Sequence, residues 1–365
     1  MHLRLLKRLV PDEDSILREG LKSKGIEVRV LSSDGETASY LNYLLRKNAL
    51  IITDFGFAGD HLSSLIEENA NVVRVLNESV KEAERCATLG KKLKVNVVVG
   101  YGGGRPLDVA KYVAKKLGKP LVLFPTAPSH DGIASGVSSL VMDKNKKITM
   151  QTKHPNAVYV PMHLWKNAER LKKAGTLDVL SNFVSLQDVS LSFRIIGEKI
   201  NEDQFKLAVA SLIFSLKAKK NEKFLLKALL SSSLSGIGEK GSRYISGSEH
   251  EVEKVLTLKI GKHLHGEYVG LGSLISAFVY SSINIHELLF DKDNLFEILI
   301  WSMKRNDALD SVANVLNDRD VAKKAHIHLK HVSHVRPERY TLWNHINSKD
   351  VDFGEIIKEI RHTLV

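Results

Sequence analysis

The chain has 365 residues, of which 43% are hydrophobic and 26% charged, and its net charge is +11 at pH 7. This length exceeds what one hydrophobic core usually serves, and no apolar run reaches the roughly 18 to 20 residues that span a bilayer. We therefore expect two domains and no membrane insertion. Cys86 is the only cysteine, which excludes an internal disulfide and a thiolate metal cluster.

The first residues, MHLRLLKRLVPDED, are interrupted by charge too early for a secretory signal, so we expect a cytoplasmic protein. The lysines are scattered and are not interleaved with aromatic residues, which argues against nucleic-acid binding. A basic surface would also favour an anionic small molecule. The composition leaves open whether the chain forms a homo-oligomer.

The N-terminal part alternates between short β-branched runs and helical patterns, which is typical of a parallel sheet covered by helices. Strands are predicted at 27–31, 49–53, 71–76, 96–100 and 120–124. Helices are predicted at 36–46, 57–68, 78–92 and 106–117. The runs 138–143 and 146–151 then predict a hairpin with Lys144 and Asn145 at its tip.

Beyond residue 160 the pattern changes to long amphipathic or apolar segments, which predict a helical second domain. They are 163–173, 178–196, 202–217, 222–233, 251–259, 266–287, 294–304, 308–315 and 319–325. The predicted fold is thus α/β plus all-α, with an α/β domain over 1–160 and a helical domain over 161–365.

A glycine-rich segment, residues 96–118, joins a buried-looking strand to a helix. Gly102, Gly103 and Gly104 would let the backbone approach a pyrophosphate closely, and the N-terminus of the following helix offers unpaired N–H groups. Pro106 suits the first helical turn, because the N–H that proline lacks has no helical partner there. The spacing is neither GxGxxG nor a P-loop. We predict a nucleotide cradle of another kind, and the alternative is a glycine-rich turn without a ligand.

The segment GGGRPLDVAK is followed by PTAPSHDGIASG, DVLSN, SGSEH, LHGEYVG and RPERYTLW, in that order. Together these motifs resemble those of the sn-glycerol-1-phosphate dehydrogenase family, which is similar in fold to dehydroquinate synthase, glycerol dehydrogenase and the iron-containing alcohol dehydrogenases. The resemblance covers most of the chain. It implies a Rossmann-like dinucleotide-binding domain, a helical domain, and an active site in the cleft between them.

The resemblance places the family's metal ligands on Asp178, His250 and His265. One carboxylate and two imidazoles suit Zn²⁺, and three protein ligands leave positions open for substrate oxygens. Each residue also has a plainer interpretation. Asp178 could be the N-cap of a helix over 179–195, His250 could end the Ser-Gly loop, and His265 competes with His263.

The resemblance also assigns residues to the substrate and the cofactor. Asp131 corresponds to a carboxylate that binds the substrate, and Asp178 would contact the substrate as well. The loop around Asp131 could instead be an Asx- or Ser-type turn that stabilises itself. The residues expected at NAD(H) or NADP(H) are Gly102, Gly103, Gly104, Arg105, Pro106, Thr126, Ser129 and Ser135.

Asp54 ends the predicted strand ALIITD. A carboxylate at such a strand end can accept hydrogen bonds from the adenosine ribose and repel a 2′-phosphate. This favours NAD over NADP, although a loop carboxylate without such a role is as common.

The chain departs from the family pattern at two positions. Lys254 stands four residues after His250, where the family usually has a second histidine at the substrate. On a helix the lysine would share a face with His250 and could hold a phosphate as a point charge. Leu177, just before Asp178, replaces a glycine that is common in the family.

The resemblance implies a zinc-dependent reduction of dihydroxyacetone phosphate by NAD(P)H to sn-glycerol 1-phosphate, for archaeal ether-lipid synthesis. Three alternatives stay open. One is a glycerol or other alcohol dehydrogenase of the same fold, and a second is a lyase resembling dehydroquinate synthase. The third is a basic protein that binds nucleic acid or membranes without catalysis, and its binding would depend steeply on salt.

Overall fold

The computed structural model describes residues 2–143, 146–219 and 221–364. Contacts between Cα atoms divide the chain into two compact units. The α/β unit is Leu17–Lys172, and the helical unit is Met1–Ile16 together with Lys173–Val365. This division differs from the expected one at residue 160, and it places the first 16 residues with the helices.

The strands are β1 (Glu27–Leu31), β2 (Ala49–Asp54), β3 (Val72–Val75), β4 (Val97–Gly102), β5 (Leu121–Pro125), β6 (Val137–Asp143), β7 (Lys146–Gln151) and β8 (Ala157–Pro161). The α-helices are α1 (His2–Leu9), α2 (Glu13–Lys24), α3 (Asp34–Arg46), α4 (Phe57–Leu65), α5 (Val80–Lys92), α6 (Gly104–Leu117), α7 (Met162–Trp165), α8 (Glu169–Leu180), α9 (Asn182–Ile196), α10 (Glu202–Ala218), α11 (Glu222–Ser235), α12 (Ser248–Lys259), α13 (His265–Ser282), α14 (Leu295–Arg305), α15 (Leu309–Asn317), α16 (Arg319–His328), α17 (Leu342–His345) and α18 (Phe353–Leu364). Short 3₁₀ turns lie at Gly241–Tyr244, Leu329–His334 and Ser348–Asp350.

Six parallel strands form the sheet of the α/β unit, in the order β1-β8-β5-β4-β2-β3. The inner strands β4 and β5 are buried along their whole length, which explains their nearly continuous apolar sequence. All five predicted strands and all four predicted helices of this part are confirmed, within a few residues at each end.

The sequence prediction missed β8, which lies between β1 and β5. Its five residues, AVYVP, end in Pro161, and Pro155 lies two residues before the strand. Proline signals an edge strand or a turn in sequence, because it cannot donate to the ladder. The predicted hairpin is confirmed as the antiparallel pair β6 and β7, and its predicted tip, Lys144 and Asn145, lies outside the described residues.

The helical second part is confirmed, with corrections at three predicted helices. The helix predicted over 163–173 is interrupted, because α7 ends at Trp165 and α8 begins at Glu169, and the helix predicted over 266–287 ends at Ser282. The predicted helix over 178–196 is two helices, because α8 continues to Leu180 and α9 begins at Asn182. Asp178 therefore lies in the last turn of α8, and its interpretation as an N-cap is wrong. No helix among the described residues is long and apolar enough to cross a membrane.

Helix α1 packs against α10 within the helical unit. Leu6 and Val10 are buried there, and the carboxylate of Glu13, 2% exposed as a residue, contacts the ammonium groups of Lys7 and Lys217. A buried carboxylate is tolerated when it is paired in this way. These contacts explain why residues 2–16 belong with the helices.

Candidate functional site

Asp178, His250 and His265 converge in the helical unit. Their potential ligand atoms lie within 4.8 Å of one another. Oδ1 of Asp178 is 3.4 Å from Nε2 of His250 and 3.3 Å from Nε2 of His265. The rival His263 lies elsewhere, with its Nε2 atom 3.4 Å from Oδ2 of Asp318. One oxygen and two imidazole nitrogens form a donor set that suits Zn²⁺ and other divalent transition metals.

Two glycines of α13 allow the three supporting helices to approach closely. A Cβ atom on Gly266 would lie 2.0 Å from the carbonyl oxygen of Ala174 in α8. A Cβ atom on Gly272 would lie 2.3 Å from the carbonyl oxygen of Glu249 in α12. Any larger residue would push these helices apart, so the glycines hold the three candidate ligands within reach of one another.

A further glycine of α13 accounts for the departure at Leu177. The side chain of Leu177 is fully buried, and its methyl carbons lie 3.0 and 3.2 Å from where a Cβ atom of Gly270 would be. The extra volume of leucine is thus accommodated by a missing side chain on the opposite helix, and the backbone of α8 continues through Asp178 without a break.

Two glutamates contact the two candidate histidines at Nδ1, the ring nitrogen that does not face Asp178. Oε1 of Glu249 is 2.7 Å from Nδ1 of His250, and Oε1 of Glu253 is 3.0 Å from Nδ1 of His265. Each ring therefore directs Nε2 towards Asp178 while a carboxylate accepts from Nδ1. This arrangement fixes the tautomer and raises the basicity of a metal-binding histidine. The sequence analysis did not identify either glutamate, although both lie beside or one turn from His250.

The charges of the group are strongly coupled. Burial alone would raise the pKa of Asp178, but the charges and hydrogen bonds of His265 and His250 hold it well below its usual range. Burial alone would lower the pKa of His265, but Glu253 and Asp178 raise it to about 10. The group therefore attracts positive charge strongly, as a cation site must.

Lys254 lies on α12, one turn beyond His250. Burial and the nearby charge of Arg336 lower the pKa of this lysine to about 7. Arg336 and Arg339 lower this pKa while Glu253 and Glu251 act in the opposite direction, so charges of both signs surround the lysine.

The glycine-rich cradle lies at the carboxyl end of β4 and at the N-terminus of α6. Gly102 has φ of 143°, a conformation that side chains rarely adopt, and a Cβ atom there would lie 2.6 Å from Pro106. Gly103 is the N-cap of α6, and a Cβ atom on it would meet nothing closer than 4.0 Å, at Ser129 Oγ. The predicted strand, glycines and helix are confirmed, and space remains beside the helix N-terminus for an anionic group.

Several predicted cofactor residues surround this cradle. Asp54 ends β2, and its Oδ2 atom lies 3.7 Å from where a Cβ atom of Gly102 would be. The backbone N–H of Thr126 donates to the carbonyl of Gly102 over 3.0 Å. Arg105 lies beside Glu78, with Nε 3.3 Å from a carboxylate oxygen. Asp131 is partly buried in the following loop.

His130 is a residue of this loop to which the sequence analysis gave no role. Its ring contacts the positions where Gly104 and Gly132 would carry Cβ atoms, at 2.5 and 2.4 Å. Its Nδ1 atom accepts a hydrogen bond from the N–H of Gly132 over 2.8 Å. The imidazole therefore joins the loop to the start of α6.

The side chain of Ser135, another predicted cofactor residue, is held by contacts within the α/β unit. Its Oγ atom lies 3.2 Å from Nζ of the fully buried Lys111, which also donates to Asp108 Oδ1 over 3.0 Å. Asp108 in turn accepts from the N–H of Ser139 over 3.0 Å. These contacts attach the loop and the hairpin to α6.

A second group of three candidate ligands, unpredicted from the sequence, lies in the α/β unit. Oδ1 of Asp34 is 2.9 Å from Nε2 of His61 and 2.7 Å from Nε2 of His163. Nδ1 of His61 lies 2.6 Å from the hydroxyl of Tyr101. These are ordinary hydrogen-bond distances, and the carboxylate of Asp34 is 58% exposed. Asp34 thus joins α4 and α7 to the start of α3.

The chain is similar in sequence to known dehydrogenases. The family model described as iron-containing alcohol dehydrogenase matches residues 31–168. Glycerol-1-phosphate dehydrogenase (NAD(P)+) from Metallosphaera sedula is 33% identical, over 74% of this chain and 75% of its own length. The enzyme of the same name from Methanothrix thermoacetophila is 30% identical, over 86% of this chain and 90% of its own length.

Solved structures show the same fold at low sequence identity. Glycerol dehydrogenase from Schizosaccharomyces pombe matches with a TM-score of 0.64 and 20% identity, covering 93% of this chain and 89% of its own. Sulfoacetaldehyde reductase from Bifidobacterium kashiwanohense, in complex with NAD+, matches with a TM-score of 0.61 and 16% identity, covering 93% and 97%. The similarity to the curated enzymes, spread over both units, shows that this chain belongs to the glycerol-1-phosphate dehydrogenase family.

Proposed function

We propose that this protein reduces dihydroxyacetone phosphate with NAD(P)H to give sn-glycerol 1-phosphate and NAD(P)+. The observation that carries the proposal is the convergence of Asp178, His250 and His265, together with membership of the family. The hydride of the reduced nicotinamide would add to C2 of the ketone, and the ketone oxygen would take one proton. The archaeal source of the relatives named above agrees with a role in ether-lipid synthesis.

Asp178, His250 and His265 would hold one divalent metal ion, which we propose to be Zn²⁺. Bound there, the ion would act as a Lewis acid that withdraws electron density from the substrate carbonyl. Glu249 and Glu253 would keep both imidazoles oriented with Nε2 towards the ion. Burial of Asp178 would exclude water from its carboxylate and so strengthen its electrostatic contribution.

The cradle would hold the cofactor's pyrophosphate. Gly102, Gly103 and Gly104 carry no side chains at the N-terminus of α6, and Arg105 and Pro106 lie in its first turn. We assign Thr126 and Ser129 to the cofactor and Asp131 to a substrate hydroxyl, whereas the contacts of Ser135 with Lys111 and Val137 favour a structural role for that side chain. Asp54, beside Gly102, would accept from the adenosine ribose, which supports use of NAD(H).

The test measures oxidation of NADH and NADPH by absorbance with dihydroxyacetone phosphate as substrate. The protein is assayed as isolated, after chelation, and after Zn²⁺ is restored, alongside Asp178→Asn. Asp203→Asn, which changes an exposed carboxylate of α10, is the matched control.

We expect activity that disappears on chelation, returns with Zn²⁺, is lost in Asp178→Asn and is retained in Asp203→Asn. Chiral analysis of the product then identifies the 1-phosphate. A folded, zinc-loaded protein that oxidises glycerol but does not reduce dihydroxyacetone phosphate would contradict the proposal. Full activity after complete removal of metal would contradict the metal assignment alone.

A further inference from the structure

Two arginines near the C-terminus share one acceptor in the helical unit. Nη1 of Arg336 lies 3.2 Å from the carbonyl oxygen of Ser246 and 2.9 Å from its hydroxyl. Nη1 of Arg339 donates to the same carbonyl oxygen. Two guanidinium groups are thus held side by side, although their positive charges repel each other.

Neither arginine forms an ion pair with an acidic residue that the structure describes. Within the described parts of the chain, no carboxylate oxygen lies within 4.0 Å of either guanidinium, and the other contacts of Arg339 are to the carbonyl and hydroxyl of Ser242. Arg243, by contrast, lies 3.0 Å from Glu198. Arg336 is 8% exposed, and burial with the charges of Arg336 and Arg243 lowers the pKa of Arg339 to about 9.

Two glutamates lie in the neighbourhood, although neither forms an ion pair with Arg336 or Arg339. Glu251 and Glu249 act on Arg339 electrostatically, yet Oε2 of Glu251 accepts from the hydroxyl of Thr341 over 3.0 Å, and Oε1 of Glu249 lies against His250. Desolvated cations without an ion pair cost free energy unless an anion completes the site. The two glutamates act on the guanidinium groups only at a distance, and the described residues place no carboxylate in direct contact with them, a position that an anionic ligand would fill.

This arginine pair contacts Ser246, two residues before the helix that carries the candidate ligand His250. Ser246 precedes α12, whose first turn carries His250 and whose second turn carries Lys254. The charges of Arg336 and Arg339 both act on Lys254. Three cations thus share one environment, within a few residues of a candidate metal ligand.

We propose that Arg336 and Arg339 bind the phosphate group of the substrate, with Lys254 as a third cation. This inference rests on the proposed function, because it explains how that site selects a phosphorylated ketone. Planar guanidinium groups match phosphate oxygens through paired N–H donors, and a lysine adds a point charge. The contacts to Ser246 and Ser242 position the two arginines before the substrate arrives.

The test uses the full-length, zinc-loaded protein and two ketones that differ only in the phosphate. The specificity constant kcat/KM is measured for dihydroxyacetone phosphate and for dihydroxyacetone in Arg339→Gln and Arg336→Gln. Arg319→Gln, which removes an exposed arginine at the start of α16, is the matched control. Zinc content and thermal stability are recorded for each variant, and Arg339→Lys serves if a glutamine variant does not fold.

We expect Arg339→Gln to lower kcat/KM for the phosphorylated ketone by about 10- to 100-fold, as loss of a charged hydrogen bond does, while the value for dihydroxyacetone stays unchanged. Arg339→Lys should retain part of the activity. Equal losses on both ketones, or no loss on either, would overturn the proposal and leave the arginines as anchors of the C-terminal segment.

Calorimetry with inorganic phosphate separates this inference from the proposed function. If the unmodified protein does not reduce dihydroxyacetone phosphate, the proposed function fails, but the phosphate site can still be tested. Binding of phosphate that is lost in Arg339→Gln and kept in Arg319→Gln would support the site. Absence of phosphate binding in the unmodified protein would overturn it.

Discussion

Oε1 of Glu253 lies 3.0 Å from Nδ1 of His265, and Nε2 of the same ring lies 3.3 Å from Asp178. The imidazole thus lies between two carboxylates, of which only Asp178 is a candidate ligand. Glu253→Gln should lower zinc affinity by about 10- to 100-fold, because an amide orients the ring less firmly and lowers its basicity. The measurement is competition with a chelator of known affinity. Glu359→Gln, at an exposed position of α18, should bind zinc like the unmodified protein. Unchanged affinity in Glu253→Gln would show that the glutamate does not support the ligand.

Close packing of helices α12 and α13 gives a second prediction. Gly272→Ala would place Cβ 2.3 Å from the carbonyl of Glu249, so the helices must separate. We expect a loss of roughly 1 to 3 kcal/mol in the free energy of unfolding, as overpacking usually costs, and reduced zinc content. Denaturant unfolding and metal analysis measure the two effects. Gly35→Ala, on the exposed face of α3, has space and should not destabilise.

The low pKa of Lys254 predicts a dependence on pH. Burial and Arg336 lower this pKa to about 7, so the lysine carries its charge below that value and loses it as the pH rises. The KM for dihydroxyacetone phosphate should therefore rise with pH through this range. In Lys254→Arg the side chain stays positively charged throughout this pH range, so the rise in KM should disappear. The substrate phosphate titrates identically with both proteins, so the difference between the two profiles isolates the lysine. Identical profiles would exclude a role for its charge.

The buried pair of Lys111 and Asp108 gives a prediction about stability. Lys111→Met removes the ammonium that bonds Asp108, Ser135 and the carbonyl of Val137. We expect the free energy of unfolding to fall by about 2 to 4 kcal/mol. This is somewhat less than for a fully buried ion pair, because the side chain of Asp108 is 15% exposed. The exposed Lys116→Met on the same helix should cost about 1 kcal/mol or less. Comparable stability of the two variants in denaturant unfolding would show that the buried contacts contribute little.

The sequence was sufficient to predict those helices and strands whose pattern lies within their own residues. Alternation of apolar runs and helical periods located β1 to β5, and the glycines with Pro106 located the start of α6. β8 was missed because its burial depends on its neighbours β1 and β5, which its five residues do not reveal. From the sequence alone, Asp178 could be interpreted as a helix N-cap. An aspartate in the last turn of one helix and an aspartate just before the next helix have similar neighbours in sequence, so the sequence does not separate the two positions.

Contacts between distant segments could not be predicted from the residues alone. Glu253 contacts His265 only because α13 approaches α12 closely at Gly272. The shared carbonyl of Ser246 joins it to arginines that lie about 90 residues further along the chain. The composition shows an excess of positive charge, but it does not indicate that Arg336 and Arg339 form no ion pair with a described acidic residue.

The helical unit is assembled from residues 2–16 and 173–364, which lie on either side of the α/β unit in sequence. In effect the α/β unit is an insertion within the helical one. During synthesis, residues 17–172 emerge as one continuous block and can fold early, as N-terminal domains do. During synthesis Glu13 cannot contact Lys217 until some 200 further residues have been added to the chain. Because this contact closes a long loop, we expect the helical unit to complete its packing only after residue 217 has been synthesised.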